Sequence, residues 1–127
     1  MGGITGVSGY TLTPKVYSVS LPALISQLSS SEETQVWKEI SHLPIPCASP
    51  LSFSGCLLAV GGWDISMNVY TSAILLYQPA TGEWVKIGDL PSPRCSSACT
   101  MLTDKEFFVA GGYNGTFLAE VNFATIP

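Results

Sequence analysis

Trp84-Val85-Lys86-Ile87-Gly88-Asp89-Leu90-Pro91-Ser92-Pro93 decides the fold, because the chain carries this pattern twice. The earlier copy is Trp37-Lys38-Glu39-Ile40-Ser41-His42-Leu43-Pro44-Ile45-Pro46, with Trp, Ile, Leu and both Pro matched 47 positions apart. Each copy leads to a short apolar run closed by two glycines. Cys56 to Val60 precedes Gly61-Gly62, and Phe107 to Ala110 precedes Gly111-Gly112. The glycine pairs lie 50 apart, so the second unit holds three extra residues, expected in the turn at Thr103 to Glu106. The first unit is expected to turn at Ser54-Gly55. A period of roughly 50 residues built from short strands marks a propeller or an array.

One unit reads as four strands: Ser49 to Phe53, Cys56 to Val60, Ala73 to Gln78 and Glu83 to Ile87. A tight turn at Ala80-Thr81-Gly82 separates the last two, and a long loop is expected from Trp63 to Ser72. The middle strands are continuous apolar runs rather than alternations, which calls for burial on both faces. Stacked sheets supply such burial. A glycine pair closing a buried strand lets the chain adopt positive φ and pass close to another backbone. The prolines remove donors and mark links between units. Trp84 and Ile87 are expected on opposite faces of their strand, one toward each neighbouring unit.

Weaker echoes flank this unit. Gly2-Gly3 fits the end of an earlier apolar run, and Lys15 to Ser20 matches Ala73 to Gln78, aligning Tyr17 or Val19 with Tyr77. An insertion at 21–35 separates that strand from Trp37. Its Leu21, Leu24, Ile25 and Leu28 have helical spacing, but the segment reads best as a protruding loop. Downstream, Phe117 to Phe123 occupies the third-strand slot.

Composition narrows the function. The chain is 46% hydrophobic and 11% charged, with a formal net charge of -4. Lys15, Lys38, Lys86, Arg94 and Lys105 are its basic residues, too few and too scattered for a polyanion, so nucleic acid is not an expected partner. No basic segment precedes an apolar run at the N-terminus, and the apolar runs fall short of the ~20 residues that cross a bilayer. The expectation is a soluble, cytoplasmic protein with no membrane partner. Asn114-Gly115-Thr116 has the form of a glycosylation sequon but reads as a turn. No cysteine recurs between units: Cys47 falls on Arg94, Ala48 on Cys95 and Ser52 on Cys99. Cys95 and Cys99, if on one strand, stand ~13 Å apart, too far for a disulfide. Free thiols are expected.

Catalytic chemistry finds little to work with. His42 is the only histidine and its repeat partner is Asp89, which suits a link residue rather than a base or a metal ligand. Gly61-Gly62 lacks the lysine, the spacing and the helix of a phosphate loop. Ser96-Ser97 has no visible base, and the carboxylates fall in expected turns and links. No enzyme activity, cofactor or metal is therefore expected.

The apolar run ending in Gly61-Gly62, then Tyr77, six residues, Trp84 and the link at Leu90-Pro91 resembles the kelch repeat. Trp37 and Gly111-Gly112 extend the likeness. The resemblance implies an all-β fold, a partial kelch β-propeller of four-stranded antiparallel blades. On it, 1–45 holds the last strands of one blade with the insertion at 21–35, 46–90 a complete blade, and 91–127 three strands of the next. Kelch propellers resemble others in closing rings of about 4–8 blades, so further repeats are expected in a longer chain. The isolated chain is expected to be marginal or self-associating, because repeats need neighbours to cover their apolar faces.

The resemblance also implies a protein-interaction module whose partner is held by residues after the glycine pairs and near the Pro-Arg link. Those residues are Trp63, Asp64, Tyr113, Asn114, Arg94 and Ser96. Cys47 departs from the Pro-Arg pattern that Arg94 satisfies. A substrate-recognition part of an adaptor, or a scaffold, would fit. The alternatives are a piece of a kelch-propeller enzyme of the oxidase or sugar-isomerising type, and a truncated gene product with no independent function.

Overall fold

The computed structural model describes residues 3–5, 11–13, 15–18, 20, 38–45, 47–53 and 55–126. The insertion at 21–35, together with Gly2, Val19, Trp37, Pro46 and Ser54, lies outside them. Among the described residues eleven elements form, each a strand: β1 (Gly3–Thr5), β2 (Thr11–Thr13), β3 (Lys15–Ser18), β4 (Lys38–His42), β5 (Ser49–Phe53), β6 (Cys56–Asp64), β7 (Val69–Gln78), β8 (Glu83–Asp89), β9 (Ala98–Met101), β10 (Glu106–Ala110) and β11 (Val121–Thr125). The strands β5-β6-β7-β8 make one antiparallel four-stranded sheet in chain order. Three strands, β9, β10 and β11, make the next, while β3 pairs with β4 and β1 with β2. The fold is all-β, built of partial kelch-type blades.

Registers place the repeat residue by residue. Gly62 pairs with Thr71 and Trp63 with Tyr70 in the central sheet, as Gly3 pairs with Thr13 and Ile4 with Leu12 upstream. Lys15 pairs with His42 as Ala73 pairs with Asp89. Both pairings then skip a residue, Ile40 in one sheet and Ile87 in the other, because each fourth strand carries a bulge at the same place. With Lys15 matched to Ala73, Tyr17 is the counterpart of Leu75 rather than of Tyr77.

An expected loop and an expected strand differ from what forms. The segment 63–72 is mostly hairpin: β6 runs on through Asp64, β7 begins at Val69, and only 65–68 turn. Trp63, Tyr70 and Val69 are strand formers by type, and they extend the pairing beyond the glycines. Downstream, the third strand starts at Val121, and Phe117 instead bridges back to Tyr113. The turn after β9 falls where the three extra residues were expected: the Thr103 hydroxyl accepts from the Lys105 and Glu106 amides.

The core lies between sheets. Leu57, Ala59, Leu75 and Trp84 of the central sheet pack against Val16, Ile40 and Leu43 on one side. Leu51, Leu58, Val60, Ile74 and Ile87 pack against Phe107 and Val109 on the other. Neighbours along β6 therefore point into different cores, which is why its sequence is a continuous apolar run. Trp84 and Ile87 do face opposite sheets.

The link after β8 ties blade to blade through backbone. Leu90 donates to the Ser72 carbonyl at 2.7 Å, Arg94 donates to that of Thr71 at 3.2 Å, and Gly62 donates to that of Arg94 at 2.9 Å. Gly61 sits at φ 63, and a Cβ there would stand 2.3 Å from the Arg94 carbonyl oxygen. Only a glycine lets the link lie so close.

Candidate interaction surface at the glycine-pair edge

The β6–β7 hairpin projects past the glycine pair and is locked by one carboxylate. Asp64 Oδ1 accepts from the Ser66 hydroxyl at 2.6 Å and from the Ser66 and Met67 amides at 3.0 and 3.4 Å. These bonds, the Ser66 hydroxyl foremost, hold the carboxyl below its ordinary pKa. Trp63 and Tyr70, paired across the hairpin, stack with centroids 5.8 Å apart and planes within 11°. Trp63 also donates from Nε1 to Asn68 Oδ1 at 3.4 Å.

The aromatic contact then crosses to the next blade. Tyr70 meets Tyr113 edge to face at 6.0 Å, and Tyr113 meets Phe117 at 5.2 Å. Cys95 and Tyr113 exchange backbone hydrogen bonds, each 2.9 Å, which anchors Tyr113 to the link. Gly112 permits this approach, since a Cβ there would stand 2.8 Å from the Cys95 carbonyl oxygen. Asn114 and Gly115 form the turn that returns to Phe117, and Asn114 Nδ2 donates to the Pro93 carbonyl at 3.1 Å. The result is a ribbon of four rings, Trp63, Tyr70, Tyr113 and Phe117, across two blades. Phe117 is 92% exposed and Met67, at the hairpin tip, 73%.

Arg94 lies beneath this edge and is fully buried. Its Nη2 donates to Glu120 Oε2 at 2.8 Å and to Ser92 Oγ at 2.6 Å, and its Nη1 donates to the Gly111 carbonyl at 3.2 Å. A buried guanidinium must be paired and hydrogen-bonded, and this one is committed to the link, the glycine pair and the strand approach before β11. It holds the edge together from within and offers no surface to a partner. Ser96 is exposed, at φ 57, with its hydroxyl 3.8 Å from Cys95 Sγ. Sequence reasoning singled out Trp63, Asp64, Tyr113 and Asn114 from their place after the glycines. It placed Tyr70 in the loop after Gly61-Gly62 without setting it among the contact residues, and it left out Phe117, because their place in the ribbon depends on the hairpin pairing and on the Tyr113 bridge.

No protein-family model matches the chain. Kelch-like protein 23 of Pongo abelii is 28% identical to it over 97 residues, and that of Homo sapiens 27% identical over 97 residues. The resemblance is to kelch-repeat proteins. The alignments cover 74% of this chain, and the chain spans 17% of the length of these relatives. The kelch features carry the fold described above: the glycine pairs seat the links, and Tyr77 packs on Trp84 at 5.3 Å. Beside Trp84, Ser41 of the neighbouring sheet accepts the indole N–H at 3.2 Å and donates to the Gly82 carbonyl at 2.7 Å.

Other chemistry is sparse. Among the described residues no three His, Cys, Asp or Glu are placed to hold a metal ion, and no helix is long and apolar enough to cross a membrane. All four cysteines are free thiols, Cys95 buried and Cys56 exposed. His42 contacts Glu39, which also pairs with Lys15 at 3.5 Å, a surface cluster at the end of β4.

Proposed function

We propose that this chain contributes a kelch-type protein-interaction surface, with the ribbon from Trp63 to Phe117 as its centre. The observation that carries this reading is the run of aromatic contacts across two blades, ending in a Phe117 ring that is almost wholly exposed. Aromatic side chains anchor interfaces because they bury large area with little loss of side-chain freedom. A hydrogen-bonded turn at Asp64 and a buried Arg94 preorganise the rings, which lowers the cost of binding. In this reading Trp63, Tyr70, Tyr113 and Phe117 touch the partner, Asp64 and Asn114 shape the loops, Ser96 lies on the rim, and Arg94 positions the edge from below.

The same reading places the chain among further kelch repeats. Val121 and Phe123 are 65% and 53% exposed on the outer face of the third sheet. By register they correspond to Ile74 and Leu76, which in the central sheet lie against the next sheet. A following sheet would cover them. A substrate-recognition role within an adaptor or scaffold fits such a longer protein, and free thiols suit the cytoplasm.

The test is capture of partner by the chain extended with its neighbouring repeats. Trp63→Ala and Phe117→Ala should reduce capture at least tenfold without changing the far-ultraviolet circular dichroism. Capture unchanged in both variants rules out this edge.

A further inference from the structure

The charges around the ribbon are not balanced. Of the chain's cations, Arg94 is buried on Glu120, Lys86 is paired with Asp89 at 2.9 Å, and Lys15 is paired with Glu39. Lys38 is at the far end of β4 from the link, and Lys105 is in the β9–β10 turn, away from the glycine pairs. Asp64, by contrast, stands at the ribbon's edge with its hydrogen bonds coming from neutral donors and no cation within ion-pair distance among the described residues. The ring faces add negative potential of their own, since aromatic quadrupoles attract cations. The whole chain carries -4, which favours approach by a cation over long range. A partner rich in carboxylates would meet none of the exposed guanidinium forks that bind them.

Resting on the surface reading above, we infer that the ribbon takes a cationic peptide segment. Its arginine or lysine side chains lie against the rings of Trp63, Tyr70 and Tyr113 and beside Asp64, and an apolar residue packs on Phe117. The cation is stabilised by the ring faces and the carboxylate together. The apolar residue supplies buried area where the surface is least polar. An anionic segment gains the second contact only and meets repulsion at the first.

The experiment is isothermal titration of the full chain with two blocked pentapeptides, Gly-Arg-Leu-Arg-Gly and Gly-Glu-Leu-Glu-Gly. The arginine peptide is expected to bind at least tenfold more tightly than the glutamate peptide and to lose affinity as salt rises, as exposed charge pairs do. Trp63→Ala and Phe117→Ala should each weaken the arginine peptide at least tenfold. Asp64→Asn, which keeps the turn-capping oxygen and removes the charge, should weaken it severalfold. Glutamate peptide binding equally well, with the ring variants still impairing it, overturns the cationic partner and leaves the surface standing. Arginine-peptide binding indifferent to both ring variants puts the contact elsewhere and overturns both. No binding of either peptide overturns the inference, while partner capture still decides the surface.

Discussion

Gly61 and Asp64 stand three residues apart and govern the edge by different means. Gly61 occupies φ 63 with the Arg94 carbonyl against its Cα, so alanine meets two penalties there. The left-handed backbone costs an L-residue roughly 1–2 kcal/mol, and the 2.3 Å contact is with backbone that cannot swing aside. Gly55 has φ 77 and open space around a Cβ, so Gly55→Ala meets the first penalty alone. Urea denaturation should find Gly61→Ala the more destabilising of the two by about 1 kcal/mol or more. Asp64 acts through charge-assisted hydrogen bonds. Because its folded pKa is lowered, the stability it contributes is full above the unfolded value near 3.8 and is lost as pH falls through the lower folded value. The amide resonances of Ser66 and Met67 should hold still from pH 7 to 5 and move only below about pH 4, the ordinary aspartate range. A transition in those amides near pH 6 contradicts this assignment.

At the scale of the element, β6 and β9 set the fate of the thiols. Cys56 opens β6 at the exposed Gly55 turn, whereas Cys99 sits in β9 against the core between the central and third sheets. Burial pushes the Cys99 thiol up to about 11, so little thiolate forms near neutrality and attack on a reagent is slow. Cys56 should react with a thiol reagent at pH 8 well before Cys99, read by mass spectrometry of labelled peptides. Equal rates at both positions contradict the packing of β9. Elements also mark the reach of pattern reading. The four strands of the central sheet were legible, since apolar runs bounded by Gly, Pro and polar turns leave few other choices. The hairpin from Trp63 to Tyr70 was not. Its turn, 65–68, has no Gly or Pro, and it is closed by Asp64 accepting bonds from Ser66 and Met67 and by Asn68 at φ 51.

Among the described residues the central sheet meets the β3–β4 sheet through one apolar interface and the β9–β11 sheet through another, with the outer face of the β9–β11 sheet left open to solvent. Val121 and Phe123 on that face should draw copies together as concentration rises. Light scattering of the chain alone should report a mass that grows with concentration, and the double variant Val121→Lys, Phe123→Lys should lower it toward the monomer. A concentration-independent monomer for the unsubstituted chain would sink the idea that this face seeks a neighbouring sheet. The sequence by itself determined the repeat, the strands of the central unit, the double burial of β6 and the place of Trp63 and Tyr113 after the glycine pairs. All of these follow from spacing and backbone chemistry along the chain. Only the tertiary structure decided that Tyr70 and Phe117 complete one aromatic ribbon and that Arg94 lies buried under it. Those facts depend on how one blade meets the next, through the Tyr70–Tyr113 contact, and on how the Arg94–Glu120 pair closes the unit that follows, distances that no spacing along a single chain encodes.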